Sequence, residues 1–351
     1  SEDNCTPKDK LKYYFLVNNT FVPSMIFDCS NIGKNILRIY VVDEAGNSDY
    51  CEATMEIQDP NQVCKGTGFT IQGKVTTAKN SVMENVGVFL ERTNPTGSSL
   101  NYTNSAGIYT FNTITGNTDY SISVEKNYNS INGVTTADIV AIQKHILGKA
   151  ILDKPYKLIA ADANNSGAIT SADISEIRKL LLGVIPEYTK NKSWRFVPKA
   201  YVFNDPTNPF PFEEKIAYNA INRDQMTSDF IGIKIGDVTE DSNPNSVNGT
   251  VKGRTAETHN IYTEDVQLIA GHEQLVSLKL ADDYIASGCQ LSLAVSNDIK
   301  IMGVESGLIQ LDNENFKISD NVITIIFTPL ELVKIQSGER LFSIRLASSR
   351  N

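Results

Sequence analysis

A chain of 351 residues, 41% of them hydrophobic, is too long for one ordinary domain and carries enough apolar side chains for about two to four separate cores. Its net charge of −9, from 41 acidic and 32 basic residues, excludes the basic footprint that nucleic acid or an anionic membrane would need. No apolar run approaches the roughly 18 residues of a membrane-spanning helix, and the two ends lead us to expect a segment of a longer polypeptide.

Residues 1–64 read as strands. The β-rich runs Ile36–Val42 and Tyr50–Ile57 flank the turn-forming cluster DEAGNSD, which predicts a hairpin in a small sandwich. Four of the five cysteines, Cys5, Cys29, Cys51 and Cys64, fall in this stretch. In a segment too short for a large core they read as a two-disulfide staple formed in an oxidising compartment. Four reduced thiols or a zinc site are the competing readings, and the closely spaced cysteine pair of zinc sites is missing. Cys289 stands alone in the alternating run SGCQLSLAV and reads as a buried structural thiol.

Residues 65–126 continue in short alternating runs, FTIQGKVTT, NVGVFLERT, GIYTFNTI and DYSISVEKN, which predict a second β-sandwich. From Asn127 the texture becomes helical. TTADIVAIQKHILG and TSADISEIRKLLLG place Ile139, Ile142 and Ile146, then Ile174, Ile177 and Leu181, at helical spacing. Between 137–148 and 172–183, seven of twelve positions are identical, and each copy ends on the glycine that stops a helix in the left-handed conformation. Residues 184–246, rich in proline and aromatics and holding the only tryptophan, Trp194, are expected to pack irregularly across the helix pair, with FIGIKIGDV as a strand closing that module. Beyond 247 the runs VQLIAGHEQLVSLKLADD, CQLSLAVSN, NVITIIFTP and RLFSIRLAS predict a third sandwich.

The segment before each helix has the spacing of a calcium loop, which offers oxygens at positions 1, 3, 5, 7, 9 and 12 and turns sharply at position 6. In the second copy Asp162, Asn164, Ser166, the Ala168 carbonyl, Thr170 and Asp173 fill those positions, and Gly167 makes the turn. Thr170 and Asp173 also fit a helix-capping box, the competing account, which leaves Asp162, Asn164, Ser166 and Gly167 unexplained. In the first copy Asn127, Asn129, the Gly133 carbonyl and Asp138 take positions 1, 3, 7 and 12, while position 5 is Ile131, which has no ligating side chain. A capped helix without metal competes with calcium there.

A duplicated loop–helix that closes on Asp rather than Glu resembles a type I dockerin module, here over about residues 127–183, the first copy departing at positions 1 and 5. The extension SWRFVPKAYVFNDPTNPF through DFIGIKIGDV is similar to the long form of that module in large secreted proteins of Bacteroidetes-type bacteria, which commonly leave by type IX secretion. Residues 1–64, with DNC, FDCS and VVDEAGNSDYC, are similar to HYR-like immunoglobulin-type domains, a resemblance that implies pairing of Cys5 with Cys51 and of Cys29 with Cys64. Residues 65–126, with IQGKVTT and NSAGIYTF, resemble carboxypeptidase-regulatory-like, prealbumin-like sandwiches, and 247–351, with AGHEQLVSLKL and GCQLSLAVSNDIKIMGVES, resemble a cohesin-like sandwich. Together these resemblances imply a multidomain, mostly β chain. It would hold three β-sandwiches, over 1–64, 65–126 and 247–351, and one small α-helical calcium module over 127–246.

No catalytic constellation is evident. His145, His259 and His272 stand in no metalloprotease pattern, and no nucleophile elbow or phosphate loop occurs. The expectation is a non-catalytic, Ca2+-stabilised segment of a secreted, extracellular or cell-surface protein, a stalk, adhesin or appendage component. The other reading is an accessory region of a secreted enzyme whose catalytic domain lies elsewhere. The expected partners are protein modules. A dockerin-like and a cohesin-like part in one chain imply docking on each other, either internally, which is the expectation here, or between copies as a homo-oligomer. Non-reducing mass spectrometry should find two disulfides among Cys5, Cys29, Cys51 and Cys64 with Cys289 free; four free thiols in protein recovered from an oxidising compartment would sink the staple.

Overall fold

In this computed structural model, residues 7–17, 20–27, 31, 33–58, 68–93, 95–246 and 259–348 are described. Among the described residues the chain is mostly β with three short α-helices, and it divides into two compact units. One comprises 1–126, 194–203 and 212–233, the other 127–193, 204–211 and 234–351.

The first unit opens with a four-stranded antiparallel sheet in the order β2-β1-β3-β4, formed by β1 (Lys12–Val17), β2 (Thr20–Val22), β3 (Gly33–Val42) and β4 (Ser48–Ile57). The predicted hairpin is β3–β4, in register from Gly33 opposite Ile57 to Val42 opposite Ser48. Its turn is held by the Asp43 carboxylate, which accepts from Asn47 N at 2.7 Å, and by Gly46 at φ +90°, where a side chain would be strained. The expected small sandwich appears among the described residues as this single sheet. Cys51 lies on β4 as an exposed free thiol; Cys5, Cys29 and Cys64, and with them the expected pairings, fall outside the described residues.

Next come β5 (Phe69–Thr77), β6 (Gly87–Thr93), β7 (Thr96–Tyr102), β8 (Ile108–Ile114) and β9 (Tyr120–Glu125). They build a sandwich, and the sandwich takes in three more strands from beyond the helices: β10 (Trp194–Pro198), β11 (Lys215–Tyr218) and β12 (Phe230–Lys234). Its two sheets run β10-β12-β5-β8 and β11-β9-β6-β7. The core between them joins Ile71, Val75, Tyr109 and Phe111 to Val88, Leu90, Ile122 and Val124, with Trp194, Phe196 and Phe230 contributed by the late strands.

FIGIK forms the strand the sequence leads one to expect, but the structure departs from the expectation that 184–246 pack irregularly across the helices, because this strand and two before it join the sandwich. The reason is periodicity. In WRFVP, Trp194 and Phe196 alternate onto one face, and all five residues of FIGIK are buried, the pattern of an interior strand. β12 pairs parallel with β5, Phe230 opposite Val75. Gly232 lets it lie close to Met83, whose Cε would stand 3.0 Å from a Cβ there.

The second unit holds α1 (Thr136–Ile146), α2 (Pro155–Ala161) and α3 (Ser171–Leu181). Both predicted helices start in a capping box, Thr135 with Asp138 and Thr170 with Asp173, and are followed by Gly148 and Gly183 at φ +67° and +65°. Ile139, Ile142, Ile174, Ile177 and Leu181 are buried as the spacing predicts, but Ile146 is 40% exposed. The two-turn α2, opened by Pro155 at its first position, is too short to show a stripe.

Among the described residues nine further strands follow: β13 (Ile261–Tyr262), β14 (Glu273–Leu280), β15 (Tyr284–Ala286), β16 (Cys289–Ala294), β17 (Ile299–Ser306), β18 (Phe316–Ser319), β19 (Val322–Phe327), β20 (Val333–Ile335) and β21 (Arg340–Ser348). They form the sheets β13-β14-β21-β17, β16-β19-β18 and β15-β20 around one core centred on Ile301, Ile323, Ile325, Phe342 and Ile344. Cys289 sits on β16 as a free thiol whose pKa burial pushes up to about 11. Within this unit α1 and α3 reach the strand ends. Gln143 Nε2 donates to Thr328 O at 3.1 Å, and Arg178 donates to Thr328 Oγ1 at 3.2 Å and pairs with Glu314 at 3.6 Å.

Trp194 is 2% exposed and sits in the sandwich core, so Trp194→Ala should destabilise that fold by about 3–5 kcal/mol through lost burial and a residual cavity. Denaturant unfolding followed by circular dichroism checks this, and a loss under about 1 kcal/mol would place the indole outside the core.

Candidate metal centre

The loop from Asp162 to Asp173 closes around its own carboxylates. Asp162, at the end of α2, is 1% exposed, and its Oδ1 and Oδ2 accept from Ser166 N at 2.8 Å and Gly167 N at 2.9 Å. Asp173 is fully buried. Its Oδ2 accepts from Thr170 N at 2.8 Å, completing the helix cap, while Oδ1 accepts from Asn164 N at 3.1 Å, tying the far side of the loop to the helix. Gly167 makes the turn at φ +77°, the sharp bend the spacing calls for. Ser166 Oγ donates to Ala168 O at 3.1 Å, so these two candidate oxygens lie side by side. Thr170 Oγ1 accepts from Ala172 N at 3.3 Å and serves the cap.

Neither carboxylate has an ion-pair partner among the described residues. Burial raises the Asp173 carboxyl above the ordinary carboxylate value against the pull of its N–H donors, and the charge of Asp162 pushes the same way. One side-chain atom points to what the loop suits. Asn164 Oδ1, at the third position, is buried and accepts no hydrogen bond. Buried acceptors are nearly always satisfied, so an orphaned amide oxygen beside two buried carboxylates fits a hard cation that takes oxygen ligands. Among the described residues no three His, Cys, Asp or Glu side chains gather around one point. The donor set here is instead two carboxylates with amide, hydroxyl and carbonyl oxygens. Asp162, Asn164, Ser166, Ala168 and Asp173 would hold the ion, which would supply the positive charge the two carboxylates lack.

The first copy is arranged differently. Asn127 Oδ1 accepts from Ser193 N at 2.7 Å and Asn129 Nδ2 donates to Ser246 O at 3.1 Å, so the expected ligands at positions 1 and 3 serve as structural links. Gly133, at φ +77°, packs against Ser242, whose Cα would stand 2.5 Å from a Cβ there. Asp138 is fully buried, with Oδ2 capping α1 through Thr135 N at 2.9 Å. Its Oδ1 accepts from the backbone N and hydroxyl of Thr239 at 3.0 and 2.7 Å, partners far along the chain that local spacing does not reveal. Burial first, and then the charge of Asp237, push its carboxyl up to about 6. Beside this cluster Lys234 is 3% exposed and donates to the carbonyls of Ser130 at 2.7 Å and Ser193 at 3.3 Å. Burial holds its amine down to about 7.

No protein-family model matches this chain, and no curated protein does. Among solved structures, the crystal structure of BcpA, the major pilin subunit of Bacillus cereus, is similar over 27% of this chain and 28% of the pilin, with 15% identity and a TM-score of 0.17. A point variant of the same pilin is similar over 35% and 48%, with 11% identity and a TM-score of 0.16. The matched stretches thus span less than half of the pilin's own length, and TM-scores this low establish no common fold.

Lys234 supplies a pH test. Its folded pKa is depressed below the ordinary amine value, so between about 7 and 10.5 the unfolded chain holds a proton that the folded chain does not. In chelator, stability should therefore rise as pH climbs from 7 toward 10, and its contribution should be lost as pH falls through 7. Lys234→Met should flatten that rise in a melting-temperature series; identical pH profiles for the two proteins would contradict the buried amine.

Proposed function

We propose that this chain is a non-catalytic, calcium-stabilised segment of a large extracellular bacterial protein, serving as a structural stalk, adhesin or appendage component. The observation that carries the reading is the orphaned, buried Asn164 Oδ1 beside the carboxylates of Asp162 and Asp173. A cation there works on stability, since an ion that binds only the folded loop stabilises it by mass action. The ligand set has two formal negative charges, which sets affinity in the range of extracellular modules, about 10⁻⁴–10⁻³ M, matched to a calcium-rich exterior. Internal docking is supported by the bonds from Gln143 and Arg178 on the helices to Thr328 and Glu314.

The test is thermal. Asp162→Ala should lower the melting temperature of the helical module in millimolar calcium and matter little in chelator. Asp173→Ala should do more damage and retain part of it without metal, because it also removes the cap of α3. If calorimetric titration of the wild-type chain shows no calcium uptake and chelator leaves its melting curve unchanged, the loop is a turn and a cap, and the calcium reading fails.

A further inference from the structure

The segment after β12 repeats the bonding of the calcium-type loop, though it lies far from either helix in sequence. Asp237 is 3% exposed, and its Oδ1 and Oδ2 accept from Asp241 N at 3.2 Å and Ser242 N at 2.8 Å. Those donors lie four and five residues on, the same offsets Asp162 uses with Ser166 and Gly167. Glu240, three residues after Asp237, has φ +56°, as does Asn165, three residues after Asp162. Asp138 Oδ1 accepts from Thr239 N, two residues after Asp237, as Asp173 Oδ1 accepts from Asn164 N, two residues after Asp162. Residues 237–243 therefore stand to α1 as 162–168 stand to α3. The two pieces of this split loop meet where Ser242 packs on Gly133 and where Asn132 and Asn243 exchange hydrogen bonds of 2.7 and 3.3 Å.

Turns can bond in this way without a ligand, but Tyr188 is a separate sign. It is 5% exposed, and its hydroxyl, buried against Gly236 next to Asp237, has no hydrogen-bond partner. Among the carboxylates that act on that hydroxyl Asp138 is foremost, then Glu176, Asp237 and Asp173. A buried hydroxyl is normally bonded, and a water held by a cation at Asp138 and Asp237 would give this one a partner. Two adjacent buried carboxylates call for counter-charge in the same place, which the buried Lys234 amine near Asp237 supplies in part.

We propose that Asp138, Asp237, Thr239 and the Asn243 carbonyl form a second divalent-cation site of the oxygen-ligand, calcium type, assembled from two segments of the chain, with the exposed Asp241 side chain turning in to join them when the ion binds. It rests on the calcium reading of the 162–173 loop and replaces Asn127 and Asn129 as the ligands belonging to α1. Because 101 residues separate Asp138 from Thr239, an ion here closes a long chain loop, which a contiguous site does not do. External calcium then pins residues 237–243 to the start of α1.

Calcium titration of the full chain by calorimetry, after removal of divalent ions, tests this. Two equivalents are expected for the wild type and for the Asn127→Ala/Asn129→Ala double variant. One is expected for Asp162→Asn, one for Asp237→Asn, and none for the two combined. The exposed Asp241→Asn keeps its backbone donor and should leave the circular dichroism spectrum unchanged while weakening one equivalent by roughly tenfold, since affinity follows ligand charge. A single wild-type equivalent, lost in Asp162→Asn but intact in Asp237→Asn and Asp241→Asn, overturns the split site and leaves the calcium reading standing. No uptake by the wild type overturns both. If Asp237→Asn fails to fold, Asp241→Asn decides: two equivalents of unaltered affinity refute the proposal.

Discussion

The helical part of the second unit hangs on an aspartate placed in the first turn of a helix and turned inward. At Asp173 one carboxylate oxygen satisfies the helix's own N-cap backbone and the other reaches across to an amide of an approaching loop. A carboxylate can do this because it offers about four acceptor sites, and the helix N-terminus, with unsatisfied N–H groups and a positive dipole end, favours negative charge there. The arrangement buries a charge almost completely, which is unfavourable unless donors or a cation surround it. Asp138 repeats the arrangement at α1. The helix start, the loop path and the electrostatics of each half thus follow from one side chain.

The sandwich of the first unit depends on a different constraint, the alternation of large apolar side chains in a strand. Strands β5 to β9 supply part of two sheets, and the core becomes continuous with Trp194, Phe196 and Phe230 from strands much later in the chain. Tyr109 illustrates how tightly the late segment is fitted: its buried hydroxyl donates to the backbone carbonyl of Ser228. Gly73 lies beside that carbonyl, and a side chain there would collide with it.

Local patterns were legible in the sequence and long-range pairings were not. The helices, their caps, their glycine stops and the 162–173 loop could be read because each is encoded within about a dozen neighbouring residues. The β3–β4 hairpin was legible for the same reason. The strand character of WRFVP was visible in its alternation, but prolines and polar residues nearby disguised it, and nothing local says that β12 runs parallel to β5. Local spacing puts the first half of α1's loop just upstream, among asparagines, whereas Asp138 bonds to Thr239. A signal existed: Asp237, Thr239 and Asp241 have the alternate spacing of Asp162, Asn164 and Ser166. Nothing in that spacing marks a partner so far back along the chain.

The parallel pairing of β12 with β5 has a consequence for how the chain reaches this form. A parallel neighbour requires a crossover, and here the crossover contains the entire helical module, with 155 residues between Lys74 N and the Asp229 carboxylate it donates to. As the chain emerges from the ribosome, β5 leaves with one edge unpaired, and that edge waits until residues 230–234 arrive. Such high contact order slows closure, and an open strand edge is a template for other chains. The helices between, encoded locally, can form during the wait, so the order in which the pieces become stable is not the order in which they are made.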